Sequence, residues 1–166
     1  MIDPTRTRAA LRKISIVIGI LVVAIQLVPY GRGHSNPPVV AGPAWNSPQT
    51  RAMFFRACAN CHSNETTWPW YSHVAPASWL VQWDVDRARV ELNVSRWGLD
   101  EYEGDEAAKM VRTNRMPPRA YLWAHPEARL SDAEKRQFET GLAATFGSHH
   151  GKRGNDDVGE KSGYLD

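Results

Sequence analysis

Cys58-Ala59-Asn60-Cys61-His62 sets two thiols three residues apart, with an imidazole directly after the second. Thiols at that spacing can reach the two vinyl groups along one edge of a porphyrin, and the adjacent histidine can bring its ring under the iron. These are the chain's only two cysteines, so no structural disulfide competes for them. A bare C-x-x-C also suits a redox dithiol or half of a zinc site. Zinc would need two more ligands at suitable spacing, and the only tight pair among the six histidines is His149-His150, in a polar tail. A thioredoxin-like dithiol belongs at a strand-to-helix junction, and nothing near residue 58 reads as a strand. The covalent haem reading, with Cys58 and Cys61 as thioethers and His62 as the proximal iron ligand, therefore stands first.

A second axial ligand is expected from Met116. It sits at a forced helix stop, followed by Pro117-Pro118, and a stiffened loop can hold a thioether at a metal. The competing role for any methionine is core packing, which is how Met53 and Met110 read. His73 and His125, each beside a proline-containing turn, are rival ligands. His/Met ligation fills both axial positions and raises the haem potential, favouring electron transfer. Without Met116 at the iron, the same pocket suits a sensor of small ligands or a peroxidatic module. Trp68, Trp70, Trp79, Trp83, Trp97 and Trp123 could line a flat cofactor or simply pack a small core. Arg87, Arg89 and Arg119 could pair with haem propionates or face solvent. Asp105 and Glu106 read as charges favourable to a helix start. No Ser-His-Asp set, phosphate loop or paired-carboxylate pattern stands out, so no catalytic residue is assigned.

Four helices are needed to position these groups. Ser47-Pro48 is an N-cap followed by proline at the first helical position, predicting a helix to about Cys58 with Met53, Phe54 and Ala57 on its apolar side. Pro76 opens a second helix to about Asn93, with Trp79, Leu80, Trp83, Val90 and Val94 near one face, interrupted by Arg87. A shorter helix covers Asp105 to Thr113. Ser131-Asp132-Ala133-Glu134 is a capping-box pattern starting a helix with Leu130, Phe138, Leu142 and Phe146 as apolar positions, ending at Gly147. No alternating strand pattern competes, and the class is all-α.

The chain has 166 residues and a formal charge of +2, with basic residues dispersed rather than striped, which argues against nucleic-acid binding. An apolar run from Ile14 to Val28 follows Arg6, Arg8, Arg12 and Lys13. The run covers only about 22 Å against a hydrocarbon core of about 30 Å, so Leu11 and Tyr30 are expected to help at the interfaces. The small residues Val39-Val40-Ala41 leave a cleaved signal peptide open, although they lie far from the run. The preferred reading is an uncleaved single-pass anchor in the cytoplasmic membrane, its basic end inside and everything downstream on the periplasmic side. The expected organisation is a basic region and transmembrane anchor over 1–30, a Pro/Gly-rich tether over 31–47, the haem-binding domain over 48–147 and a disordered tail over 148–166.

From residue 48 to about 146 the chain resembles the haem-binding domain family of cytochrome c-like proteins. The resemblance rests on Cys58 to Trp70 (CANCHSNETTWPW), on Tyr71 to Leu80, on Met116-Pro117-Pro118 and on Tyr121 to Leu130 (YLWAHPEARL). It implies a small cytochrome c-like helical domain with one covalently bound haem c, and says less about the haem's task. A membrane-tethered carrier exchanging electrons with redox partner proteins is the leading expectation. A haem-based small-ligand sensor or a peroxidase accessory module is the alternative.

Overall fold

In the computed structural model the described residues, 4–99 and 104–147, are helical or irregular, with a single parallel bridge between Ala41 and Arg96. The order is α1 (Pro4–Ile25), α2 (Pro48–Ala57), α3 (Ala59–His62), α4 (Ala77–Glu91), α5 (Ala107–Arg112), α6 (Arg119–Ala124) and α7 (Asp132–Phe146), with single turns of 3-10 helix at Trp70–His73, Gly104–Glu106 and Pro126–Ala128. The all-α expectation holds. The chain divides into two compact units: residues 1–43 with 54–102, and residues 44–53 with 103–166.

Local chemistry explains most boundaries. The Ser47 hydroxyl accepts from Thr50 N at 3.1 Å and caps α2. The capping box at Ser131 forms in full, with Glu134 N donating to the Ser131 hydroxyl and the Glu134 carboxylate accepting from Ser131 N. α7 stops at Gly147, whose φ of +90° is open to glycine. α4 ends two residues earlier than its pattern suggested, because Leu92 is extended. α5 ends at Arg112, before the prolines, with Asn114 at φ +54° just beyond it, and Pro118 stands at the N-cap of α6, which was not expected.

In the first unit, α3 and the Trp70–His73 turn both pack on α4. The expected apolar stripe of α4 is not its inner face. Leu80, Trp83 and Val90 are exposed, whereas Ser78 and Val85 are buried. Small side chains on that face allow close approach: a Cβ on Gly31 would stand 2.3 Å from Ser78 O. Residues expected to be a free tether are instead held along the unit. Asn36 Nδ2 donates to Thr66 O at 2.9 Å, Asn64 Nδ2 to Pro38 O at 2.9 Å, and Val40 N to Ser95 O at 2.9 Å. Prolines leave few donors in this stretch, so the side chains of Asn36 and Asn64 make the ties.

The N-terminal segment also departs from expectation. α1 includes Arg6, Arg8, Arg12 and Lys13 and ends at Ile25, short of Val28. Twelve residues after Lys13 cover only about 18 Å. Among the described residues no helix is long and apolar enough to cross a membrane, which corrects the transmembrane helix expected over 1–30.

In the second unit α5 packs on α7, with Val111, Phe138 and Leu142 buried. Gly141 is required there, because a Cβ would stand 2.1 Å from the Thr50 hydroxyl. The tail expected at 148–166 lies outside the described residues.

Candidate haem site

The five-residue motif is built as one helical turn. Cys58 N donates to Phe54 O, and Cys61 N and His62 N both donate back to Cys58 O, at 3.1 and 2.9 Å. A single turn brings positions i, i+3 and i+4 to one side, so Cys58, Cys61 and His62 share a face. All three are half-buried, and the two cysteines are free thiols. Burial, with Cys61 adding a smaller share, pushes the Cys58 thiol up to about 12. Burial and the nearby Asp84 charge push Cys61 up to about 11, with Arg89 opposing. Both sulfurs are therefore protonated at neutral pH.

His62 Nδ1 lies 3.0 Å from Leu92 O, the carbonyl at the end of α4. A carbonyl only accepts, so the proton is on Nδ1 and the Nε2 lone pair is left bare. Burial lowers the His62 pKa, partly offset by its hydrogen bonds to the Leu92 and Ala88 backbone, and favours the neutral ring a metal requires. Such an outer hydrogen bond fixes tautomer and ring orientation for a ligating histidine. The backbone is tied at the same place, with Val94 N donating to His62 O at 3.0 Å.

A polar network holds this carbonyl in position. Asn93 Nδ2 donates to Asn64 Oδ1 at 2.9 Å, Asn93 Oδ1 accepts from Ser95 N at 3.0 Å, and the Ser95 hydroxyl accepts from Asn64 N at 2.9 Å. Asn93, Asn64 and Ser95 are all buried, so each pair is protected from water. The loop after His62 is closed from its other side. The Thr66 hydroxyl donates to Asn60 O at 2.7 Å, and Asn60 Oδ1 accepts from Thr67 N at 3.0 Å. Arg89 completes the arrangement through Ser63 O, Ser35 O, Asn36 Oδ1 and the Thr66 hydroxyl at 2.9 to 3.1 Å. Its guanidinium thus holds protein carbonyls together, in place of the propionate role considered for it.

The other expected residues are dispersed. Arg87 pairs with Glu91 at 3.5 Å and lies over the Trp83 ring. His73 is exposed and edge-on to His34, with ring centroids 4.3 Å apart. His125 donates to Glu127 at 2.9 Å and stacks on Tyr121. Trp70, Trp83 and Trp123 are exposed, while Trp68, Trp79 and Trp97 are half-buried. Met116 belongs to the second unit, on the link between α5 and α6. Its N–H donates to Met110 O at 3.1 Å, and its side chain is partly exposed.

Sequence reasoning missed the Leu92 carbonyl and the Asn64, Asn93 and Ser95 network. The two polar residues Asn93 and Ser95 directly after an amphipathic helix were the available signal. Their partners lie about thirty positions away in the chain, beyond the reach of local spacing.

The residues present fit a porphyrin. The donor set offers two thiols and one bare imidazole nitrogen from a single turn. In the first turn of α4, at the end of that helix away from Leu92, the Trp79 indole N–H and the Ser78 hydroxyl are buried without a partner among the described residues. Among the described residues no group of three His, Cys, Asp or Glu side chains could hold a bare metal ion. The family model that the chain matches, over residues 20–144, is that of the haem-binding domain. No curated protein and no solved structure matches.

Proposed function

We propose, for a chain that belongs to the haem-binding domain family, that it is a membrane-associated, single-haem c-type electron carrier. The observation that carries the haem c reading is the His62–Leu92 hydrogen bond, which leaves Nε2 free within a turn that also presents both thiols. Cys58 and Cys61 hold the haem by thioethers, each made by adding S–H across a vinyl double bond. Bound there, the haem supplies one-electron exchange between ferric and ferrous iron. The chain's own contribution is positional. Leu92 O orients His62, and the Asn64, Asn93 and Ser95 network fixes Leu92, so the imidazole would be held in one orientation toward a bound iron.

Met116 supplies the second axial ligand in this reading. Its support is the exposed thioether on a link pinned to Met110 O and followed by two prolines. The test is the spectrum of the full chain. A pyridine haemochrome is expected to report two thioether attachments, and the oxidised protein to show a thioether-to-iron charge-transfer band. Met116→Ala is expected to abolish that band while leaving the haem attached. An unchanged spectrum would overturn the ligand, and ready carbon monoxide binding by the reduced wild type would replace the carrier by a small-ligand sensor.

The same reading puts the domain at the extracytoplasmic face of the cytoplasmic membrane, with redox proteins as partners. Ile14, Ile16, Val17, Ile18, Ile20, Leu21, Val22 and Val23 are each at least half exposed, covering every face of α1. With no span among the described residues, this exposed apolar surface next to four cations suits peripheral contact with an anionic bilayer. Placement on the extracytoplasmic side rests on the covalent attachment of haem c, which is completed there.

A further inference from the structure

The end of α1 is fastened to the haem-bearing unit through one side chain. Gln26 Oε1 accepts from Ala75 N at 3.0 Å and Gln26 Nε2 donates to Ala75 O at 2.9 Å, so the amide pairs with that residue's backbone in both directions. Arg32 donates to Gln26 O, closing the turn from behind. Gly31, buried at φ +76°, lies so close to Ser78 O that no side chain would fit. Three contacts within seven residues make this junction a rigid root, although a tether was expected to begin at residue 31.

Beside the root, the surface is apolar and aromatic. Leu27, Val28 and Tyr30 are exposed on one strand of the junction, and Trp70 and Val74 on the loop that Gln26 grips. Tyrosine and tryptophan favour the boundary between headgroups and water, where one end of the ring is apolar and the other wet.

We infer that the 70–76 loop rests on the lipid surface alongside the end of α1, holding the haem unit in one attitude to the membrane. The occupant is a bilayer because Leu27 and Val28 follow directly on α1, whose Ile20, Leu21, Val22 and Val23 are exposed, and Gln26 holds Ala75 of the 70–76 loop beside them. The consequence concerns the haem. The Gln26–Ala75 contact and the His62–Leu92 contact lie at opposite ends of α4, about 20 Å apart along its axis. The haem ligand is thus kept a helix length from the lipid contact, which suits a partner that itself projects from the membrane.

This inference rests on the membrane association proposed above, and hydrogen exchange of the full haem-loaded chain, with and without phosphatidylcholine/phosphatidylglycerol vesicles, separates the two. Protection of both 14–28 and 70–76 by vesicles is expected. In Gln26→Ala, protection of 70–76 should fall by at least half while that of 14–28 persists. Gln26→Glu, which keeps the acceptor and loses the donor, should fall between them with the haem spectrum unchanged. Protection of 14–28 alone in the wild type would overturn the second contact and leave membrane association standing. Protection of neither would overturn both. Protection of 70–76 that is indifferent to Gln26 would overturn the rigid root.

Discussion

The two units bury different chemistry. Ser63, Asn64, Thr66, Ser72, Ser78, Asn93 and Ser95 are buried in the unit that carries the haem motif, whereas Thr50 is the buried polar residue described in the other. The second unit is held by a common device, an apolar face between α5 and α7 centred on Val111, Phe138 and Leu142. The first also has an apolar core, with Phe54, Val85, Leu92 and Val94, but adds directional bonds around His62. Apolar packing fixes that two elements meet. A ligand atom must also point, and buried hydrogen bonds supply direction at the risk that one missing partner leaves others unsatisfied.

The largest effect expected is on the thiols of the haem-free protein. With pKa values near 12 and 11, against 9.0 for an ordinary thiol, Cys58 and Cys61 carry far less thiolate at pH 8. Alkylation of the folded apoprotein should be roughly a hundred- to a thousandfold slower than in urea. The folded state holds these protons more tightly than the unfolded chain. Their contribution to stability is therefore complete below pH 9.0 and lost as pH rises through the folded values of about 11 and 12. Equal alkylation rates in folded and unfolded protein would remove the shielded, proton-holding thiols from the description of the first unit.

Next in size is Asn93→Ala. It orphans Asn64 Oδ1 and Ser95 N together, and should cost about 2–4 kcal/mol in denaturant unfolding. In the second unit, Gly141→Ala forces a Cβ against the buried Thr50 side chain and should cost about 1–3 kcal/mol. Thr50→Ser should relieve part of that loss, because the methyl group at 2.9 Å disappears. The smallest effect is Ser131→Ala, which removes the exposed capping box for about 1 kcal/mol, read as a modest fall in Tm. Should Asn93→Ala prove as mild as Ser131→Ala, the contrast between a directional and a generic unit would fail.

Legibility followed sequence distance. The caps at Ser47 and Ser131 and the stop at Gly147 were readable because each acts within four residues of itself. The face of α4 was misread. Of its expected apolar stripe, Leu80, Trp83 and Val90 are exposed while Trp79 is half-buried and Val94 buried, and the inner face carries Ser78 and Val85. Periodicity reports that a helix has an apolar side, not which side its neighbours can approach. Similarly, the prolines and glycines of 31–47 signalled irregular backbone correctly and freedom wrongly, since Asn36, Val40 and Ala41 find partners across the unit.

By itself, the sequence determined the donor set and its local geometry. Cys58, Cys61 and His62 lie within one turn, and a single turn of helix leaves little choice about which side they face. Tertiary structure decided which nitrogen of His62 is available, because that depends on the Leu92 carbonyl thirty residues on, held by Asn64, Asn93 and Ser95. It also rooted the end of α1, through one glutamine whose type reveals nothing until Ala75 stands opposite it. Local spacing fixes which atoms are offered, and hydrogen bonds between distant residues fix where they point, because direction requires a partner that local sequence does not contain.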